Sequence, residues 1–398
     1  MKLKRLLSIL IILSTIFLTG CWSSHEVNTL AITVCIGIDK TENGYLVTEQ
    51  VLNPRAIASK KATAESPVVI YTAEGNDLAE IIRRFTTQSS RVLYNADLRM
   101  VVFGEDVAKD GIQNILDYFL RNYEYRTDFY FVIAKNSTAN EVLGTLTPIE
   151  LVPGFSMYIS LKMSEEKWAA MKSIRIIELV NSIIADGDNP VLTGIEISQD
   201  EISPESTDIL KQSGEYKKLK YTGLGAFNKD KLVGWLDEDE SKGYNYITDN
   251  VKNTIEYADY DSKVKITYEV LNAKSRTKVY FLENKPAIEV KIKTKCNIEI
   301  VEGEFDVSAE ENKQVLNELL ARKVKLLCEK ALNKAQKELK TDIFGFGEAI
   351  HRKYPKTWEK LKDDWNDKFT DLPVNITVEA ETNQLGQITK PLFMKEKE

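Results

Sequence analysis

Alternation is the strongest constraint on what this chain can fold into. Between 287 and 301, Ile288, Val290, Ile292 and Thr294 fall on one side of an extended segment, with Lys and Glu between them. A period of two fits a strand with one face buried and the other in water. Segments 264–271 and 277–282 are strand-like just upstream. A long stretch, 309–339, follows, in which Leu316, Leu320, Val324, Leu327, Ala331 and Ala335 trace a helical stripe. A half-buried sheet needs a cover and an amphipathic helix needs a surface, so the long helix is predicted to lie across these strands. Ser308-Ala309-Glu310-Glu311 at its start fits a capping box. A second helix is predicted over 356–369, with Trp358, Leu361, Trp365 and Phe369 on one face, and a strand over 374–380 returns to the sheet.

Upstream, the pattern is shorter and mixed. Strands are predicted over 30–39, 45–52, 68–73, 98–103 and 129–134, the first two joined by Thr41-Glu42-Asn43-Gly44, which carries Asn-Gly turn chemistry. Helices are predicted over 77–91, 111–122, 165–171 and 174–185. Asp186-Gly187-Asp188-Asn189-Pro190 is a breaker and marks a boundary. Short strands follow at 191–197, 219–227 and 231–236, the last two joined at Asn228-Lys229-Asp230, and a helix is predicted over 249–257. The polar stretch 198–213 reads as a loop. The expectation is therefore an α+β protein of three mixed α/β domains, 29–185, 186–262 and 263–398, each a mainly antiparallel sheet with packed helices.

The first twenty residues do not belong to that fold. Lys2, Lys4 and Arg5 precede an apolar run over 6–18, which suits a signal peptide and is shorter than the roughly 20 residues a bilayer crossing needs. The run ends in Leu18-Thr19-Gly20-Cys21, which resembles a bacterial lipobox. Small residues admit a peptidase to the backbone, and the Cys21 thiol is the nucleophile that takes a diacylglyceryl group. Cleavage between Gly20 and Cys21 would leave 21–28 as a lipidated tether, and two acyl chains give stable anchoring. The whole chain carries a net charge of −7, and loss of the three leader cations makes it −10. That balance argues against nucleic acid as a partner and leaves anchoring to Cys21. Cys35, Cys296 and Cys328 sit among apolar neighbours and read as buried thiols, with no metal spacing.

Catalytic chemistry is hard to find. The only histidines are His25 and His351, and His351 stands beside Arg352 and Lys353, a poor setting for a base. No phosphate-binding, zinc-protease or nucleophile-elbow motif occurs in a suitable context. Phe344-Gly345-Phe346-Gly347 follows a helix and not a strand, so it reads as a tight reversal whose rings plug the core. Asp237-Glu238-Asp239-Glu240 reads as a solvated loop, and Trp235 before it as core or as an exposed anchor. The 358/361/365/369 stripe reads as core, with an exposed partner surface as the alternative. No catalytic, cofactor-binding or metal-binding residue is expected.

Three segments carry a resemblance to the lipoprotein (C) subunits of bacterial spore germinant receptors, the GerAC/GerBC type. They are Gly20-Cys21-Trp22 leading through Leu30-Ala31-Ile32 to Gly37-Ile38-Asp39-Lys40; Thr222-Gly223-Leu224-Gly225-Ala226-Phe227 with Asp230-Lys231-Leu232-Val233-Gly234-Trp235-Leu236; and the run from Asp342 to Pro355 followed by Trp358 and Trp365. Ser23-Ser24-His25 departs from the more charged stretch the pattern suggests. The resemblance implies a three-domain, non-catalytic protein on the outer face of the spore inner membrane. It would be held by diacylglyceryl-Cys21 and work with receptor A and B integral-membrane subunits in nutrient-triggered germination. It assigns no nutrient-contacting residue in this subunit and leaves direct nutrient binding open. The alternatives are the solute-binding lipoprotein of a transporter and, further off, a cell-wall hydrolase using an unidentified carboxylate pair.

Overall fold

The computed structural model describes residues 29–58, 65–198 and 218–384. Two sheets organise them. The first runs β3 (Val68–Gly75), β2 (Gly44–Leu52), β1 (Leu30–Thr41), β5 (Met100–Gly104), β6 (Tyr130–Ala134), β7 (Val191–Ile197), β8 (Leu219–Asn228), β9 (Lys231–Leu236), and the short β4 (Val92–Tyr94) pairs with β1. β1, β5, β6 and β7 are mutually parallel, and antiparallel hairpins flank them on both sides. This parallel centre differs from the antiparallel expectation, for a visible reason. β5 and β6 are buried at every position, as strands covered on both faces must be, and parallel neighbours need crossovers that supply that cover.

Helices α1 (Leu78–Arg84), α2 (Glu105–Asp110), α3 (Gln113–Arg121) and α6 (Ile176–Ile184) cover one face, where Ile81, Ile115, Phe119 and Leu179 meet Ile36, Phe103 and Phe131. Helices α4 (Ala139–Gly144) and α5 (Pro153–Lys167) cover the other, bringing Val142, Met157 and Leu161 onto Val34, Val102 and Val132. Of the helices predicted over 165–171 and 77–91, the first lies upstream as α5, started by Pro153 in its first turn. The second is α1 plus one tighter turn, Phe85–Thr87.

The second sheet runs β10 (Thr254–Asp259), β11 (Lys265–Leu282), β12 (Lys285–Glu302), β13 (Val374–Gln384). What read as two strands upstream of Ala287 is one eighteen-residue strand, β11, hydrogen-bonded along its length to β12. β13 is parallel to β12 because the chain between them crosses the sheet through α8 (Glu310–Asn333). The predicted stripe holds: Leu316, Leu320, Val324 and Leu327 are fully buried against Tyr268, Val290 and Ile292. Its cap differs from the expected box. Ala309 is the capping position with no side-chain cap, while Ser308 is drawn away to Asp306 Oδ1 through its backbone N–H and its hydroxyl.

Stretch 186–262 divides its strands between the two sheets. β7, β8 and β9 extend the first, because β7 pairs with β6, and β10 edges the second. The helix in this stretch is α7 (Glu238–Ile247), and the residues predicted helical at 249–257 supply β10 instead. The acidic run explains the shift. Asp237 caps α7 and Glu240 returns to the Asp237 N–H, a full capping box, so these carboxylates start a helix and do not form a loop. The C-terminal aromatic helix is also interrupted, running as Pro355–Trp358 and Trp365–Phe369 around a 3-10 turn at Lys362–Asp364. Trp358, Trp365 and Phe369 nevertheless all face the core. Among the described residues, no helix is long and apolar enough to cross a membrane.

Candidate functional site

The segments that carry the family resemblance meet the rest of the fold at two interior places. The first is the carboxyl end of the parallel strands, where α/β sheets commonly hold ligands. Here Asp39, at the end of β1, fills the position itself. Its two carboxylate oxygens accept the Ala139 and Asn140 N–H groups at 2.8 and 2.9 Å, the free donors at the start of α4. A Cβ on neighbouring Gly104 would stand 2.4 Å from Asp39 Oδ1. Burial raises the Asp39 pKa, and the two backbone donors offset part of that. The Gly37-Ile38-Asp39 segment thus fixes β1 to α4 and takes up the N–H donors that a phosphate would use there.

The second place is the junction between the two sheets, centred on Asp342. Its carboxylate is fully buried. Oδ2 accepts the Gly347 N–H at 2.8 Å and the Trp365 indole N–H at 3.1 Å, and Oδ1 accepts the Phe344 N–H at 3.1 Å. Burial pushes its pKa up to about 7, with Asp188 nearby adding to the rise and the backbone donors opposing it. Gly345 takes a left-handed backbone at φ 70°, and the reversal stacks Phe344 on Phe346 at 5.2 Å. Phe346 plugs the core as expected, whereas Phe344 is only partly buried.

This loop is stitched to the first sheet. Thr341 Oγ1 donates to the Phe227 carbonyl at 3.0 Å, Asn189 Nδ2 to the Asp342 carbonyl at 3.2 Å, and the Glu348 N–H to the Gly187 carbonyl at 2.9 Å. Asn189 Oδ1 in turn accepts the Lys229 N–H in the β8–β9 turn at 2.7 Å. The breaker at 186–190, the hairpin 222–236 and the motif 342–355 therefore form one joint. Beside it, a second buried link binds α7 to β10. Lys242 and Glu256 pair at 3.5 Å, with the Lys242 ammonium 4.1 Å from the Trp168 ring centroid. A polar cleft of about 450 Å³ opens at the joint, between α6, α7 and the Phe344–Gly345 turn, with Lys172, Asp188 and Tyr244 on its walls.

The other candidates are accounted for. Gly20 and Cys21, with His25 and the tether, lie outside the described residues. Cys35, Cys296 and Cys328 are buried free thiols, with pKa values pushed upward by burial. His351 stacks on Trp358 at 5.8 Å, and its Nδ1 lies 3.5 Å from Glu348. Trp235 is half-buried, donating to Glu105 Oε1 at 3.4 Å beneath the Lys135 ammonium. Among the described residues, no group of three or more His, Cys, Asp or Glu is placed to hold a metal ion. The sequence did not point to Lys172 or Tyr244, because a lysine in a short connection and a tyrosine on a polar helix carry no motif.

Fold and junction together define a mixed α+β scaffold whose most distinctive residues lock two sheets into one body. The chain belongs to the spore germination B3/GerAC-like family. The model of that family's C-terminal region matches residues 222–386, and the model described as the spore germination protein N-terminal domain matches 23–197. It is 30% identical to spore germination protein KC of Bacillus subtilis strain 168 over 98% of both chains. Its identity to spore germination protein B3 of the same strain is 22%, over 94% of this chain and 96% of that one. A crystal structure of the GerBC protein shares the fold, with a TM-score of 0.57, 19% identity, and coverage of 87% of this chain and 96% of that one. The family is that of germinant-receptor subunits of spores.

Proposed function

We propose that this chain is the lipid-anchored, non-catalytic C subunit of a nutrient germinant receptor. It would be tethered through diacylglyceryl-Cys21 to the outer face of the spore inner membrane, working with A and B integral-membrane subunits. The observation that carries this reading is the likeness to spore germination protein KC along nearly the whole chain, leader included, together with Leu18-Thr19-Gly20-Cys21 at the end of a signal-length apolar run. The interior placement of Asp39 and Asp342 supports a scaffold role, since both carboxylates are engaged by the protein's own N–H groups. A tether confines the chain to the membrane plane and raises its effective concentration for partners there.

The test is purification of the tagged chain from detergent-solubilised spore inner membranes. Two multispanning subunits are expected to co-purify with it, in a manner that depends on Cys21. Recovery of the chain alone would contradict the partnership.

A further inference from the structure

We propose that the cleft between α6, α7 and the Phe344–Gly345 turn binds a small dipolar molecule, its carboxylate held by Lys172 and its cationic group by Asp188. The two charged groups have different hydrogen-bond partners, and they attract each other across the cleft without forming an ion pair. Lys172 is anchored through its backbone: its N–H donates to Thr193 Oγ1 at 2.9 Å, and that hydroxyl donates back to the Lys172 carbonyl at 2.8 Å. The side chain then reaches Tyr244, donating to the phenol oxygen at 2.8 Å with the ammonium 5.1 Å from the ring centroid. An ammonium has three donors, and no carboxylate among the described residues stands in ion-pair contact with this one.

Asp188 faces the same space; burial raises its pKa, opposed by the Ser182 side chain, the Lys172 charge and the Asn189 N–H. It too has no ion-pair partner among the described residues. Gly345 beside it takes a left-handed backbone at φ 70°, and a Cβ there would reach van der Waals contact with Asp188 Oδ1 at 3.4 Å. Phe344, 5.9 Å from Tyr244 between ring centroids, closes one side with an apolar surface. At the rim Glu348 and Arg352 pair at 3.6 Å, and Glu178 adds a further carboxylate to the lining.

Burial opposes the charged form of both groups, and their attraction across the cleft stops short of ion-pair contact. A ligand that carries both opposite charges can pair with each directly, whereas a neutral sugar or a simple ion pairs with at most one. The volume, about 450 Å³, lies in the range of small-molecule sites, and such sites favour junctions between structural bodies. Burial opposes the charge on Lys172, but Tyr244 and the carboxylates of Asp188 and Glu178 outweigh it, so the group stays cationic. The inference borrows from the receptor reading only its biological setting. It is tested on the mature chain alone, so its failure would leave that reading standing.

The test is titration calorimetry of the mature full-length chain in detergent with glycine, β-alanine and 4-aminobutyrate, which differ in charge separation, and with acetate and methylammonium as the single-charge halves. Saturable binding of at least one dipolar probe is expected, with each half roughly tenfold weaker or more. Lys172→Gln and Asp188→Asn should each weaken the best probe by a similar factor while leaving the unfolding midpoint within a few degrees. Should Asp188→Asn fail to fold, Ser182→Ala removes only the hydroxyl that orients Asp188, and it should weaken binding several-fold. Absence of saturable heat from all three dipolar probes, acetate binding as tightly as the best of them, or unchanged affinity in the variants would overturn the proposal.

Discussion

Gly187 and Gly347 meet backbone to backbone: a Cβ on Gly187 would lie 2.4 Å from the Gly347 carbonyl carbon, and one on Gly347 would lie 2.7 Å from the Gly187 Cα. One glycine belongs to the breaker after α6, the other to the first turn of the helix Phe346–Lys353 that follows the Asp342 loop, so the two segments touch where neither side has a side chain. The hydrogen bond from the Glu348 N–H to the Gly187 carbonyl depends on this approach.

Either glycine replaced by alanine should therefore loosen the joint. Backbone atoms are the nearest neighbours of Gly187 and cannot rotate away, so Gly187→Ala should cost about 1–3 kcal/mol in overpacking. Equilibrium urea unfolding would read this as a lower midpoint, and an unchanged midpoint would mean the two segments are free to separate.

Asp342→Asn should destabilise the protein by roughly 2 kcal/mol. The carboxylate accepts three N–H donors through two oxygens. An amide offers one acceptor oxygen and turns an NH₂ toward donors, leaving buried groups unpaired. Loss of near-ultraviolet signal from Trp365 at a lower temperature than in the wild type is the expected readout.

Glu49 gives the clearest pH effect. It is fully buried in β2, its Oε2 accepts the Thr33 hydroxyl at 2.7 Å, and its Oε1 has no partner. Burial pushes its pKa up to about 7 from 4.5, with the Thr33 hydroxyl opposing the shift. The folded state thus holds a proton that the unfolded chain releases, so this group's contribution to stability falls as pH rises through that window. Glu49→Gln should flatten the decline and stabilise the protein at pH 8 by roughly 2 kcal/mol. Identical pH profiles for the two proteins would remove Glu49 as its source.

Much of the architecture was legible because it rests on local pattern. The alternation at Ile288–Val290–Ile292 and the stripe from Leu316 to Leu327 each depend on a periodicity that survives in the folded protein. The hairpin at Asn228–Asp230 was legible from turn chemistry. What failed depended on distant partners. β7 joins the first sheet because β6 offers it an edge, which nothing near the 186–190 breaker reveals. The acidic run at Asp237 was misread because carboxylates in a loop and in a first helical turn look alike until the capping geometry is seen. The cleft is illegible for the same reason: Lys172, Asp188 and Tyr244 are far apart in sequence and meet only through tertiary packing.

The central claim is that a lipid on Cys21 holds this scaffold against membrane-embedded receptor subunits. The most direct measurement is nutrient-triggered dipicolinate release from spores that lack the native chain and express either the wild type or Cys21→Ala at matched levels. The account predicts release with the wild type and a severe loss with Cys21→Ala. Equal release from both would contradict it.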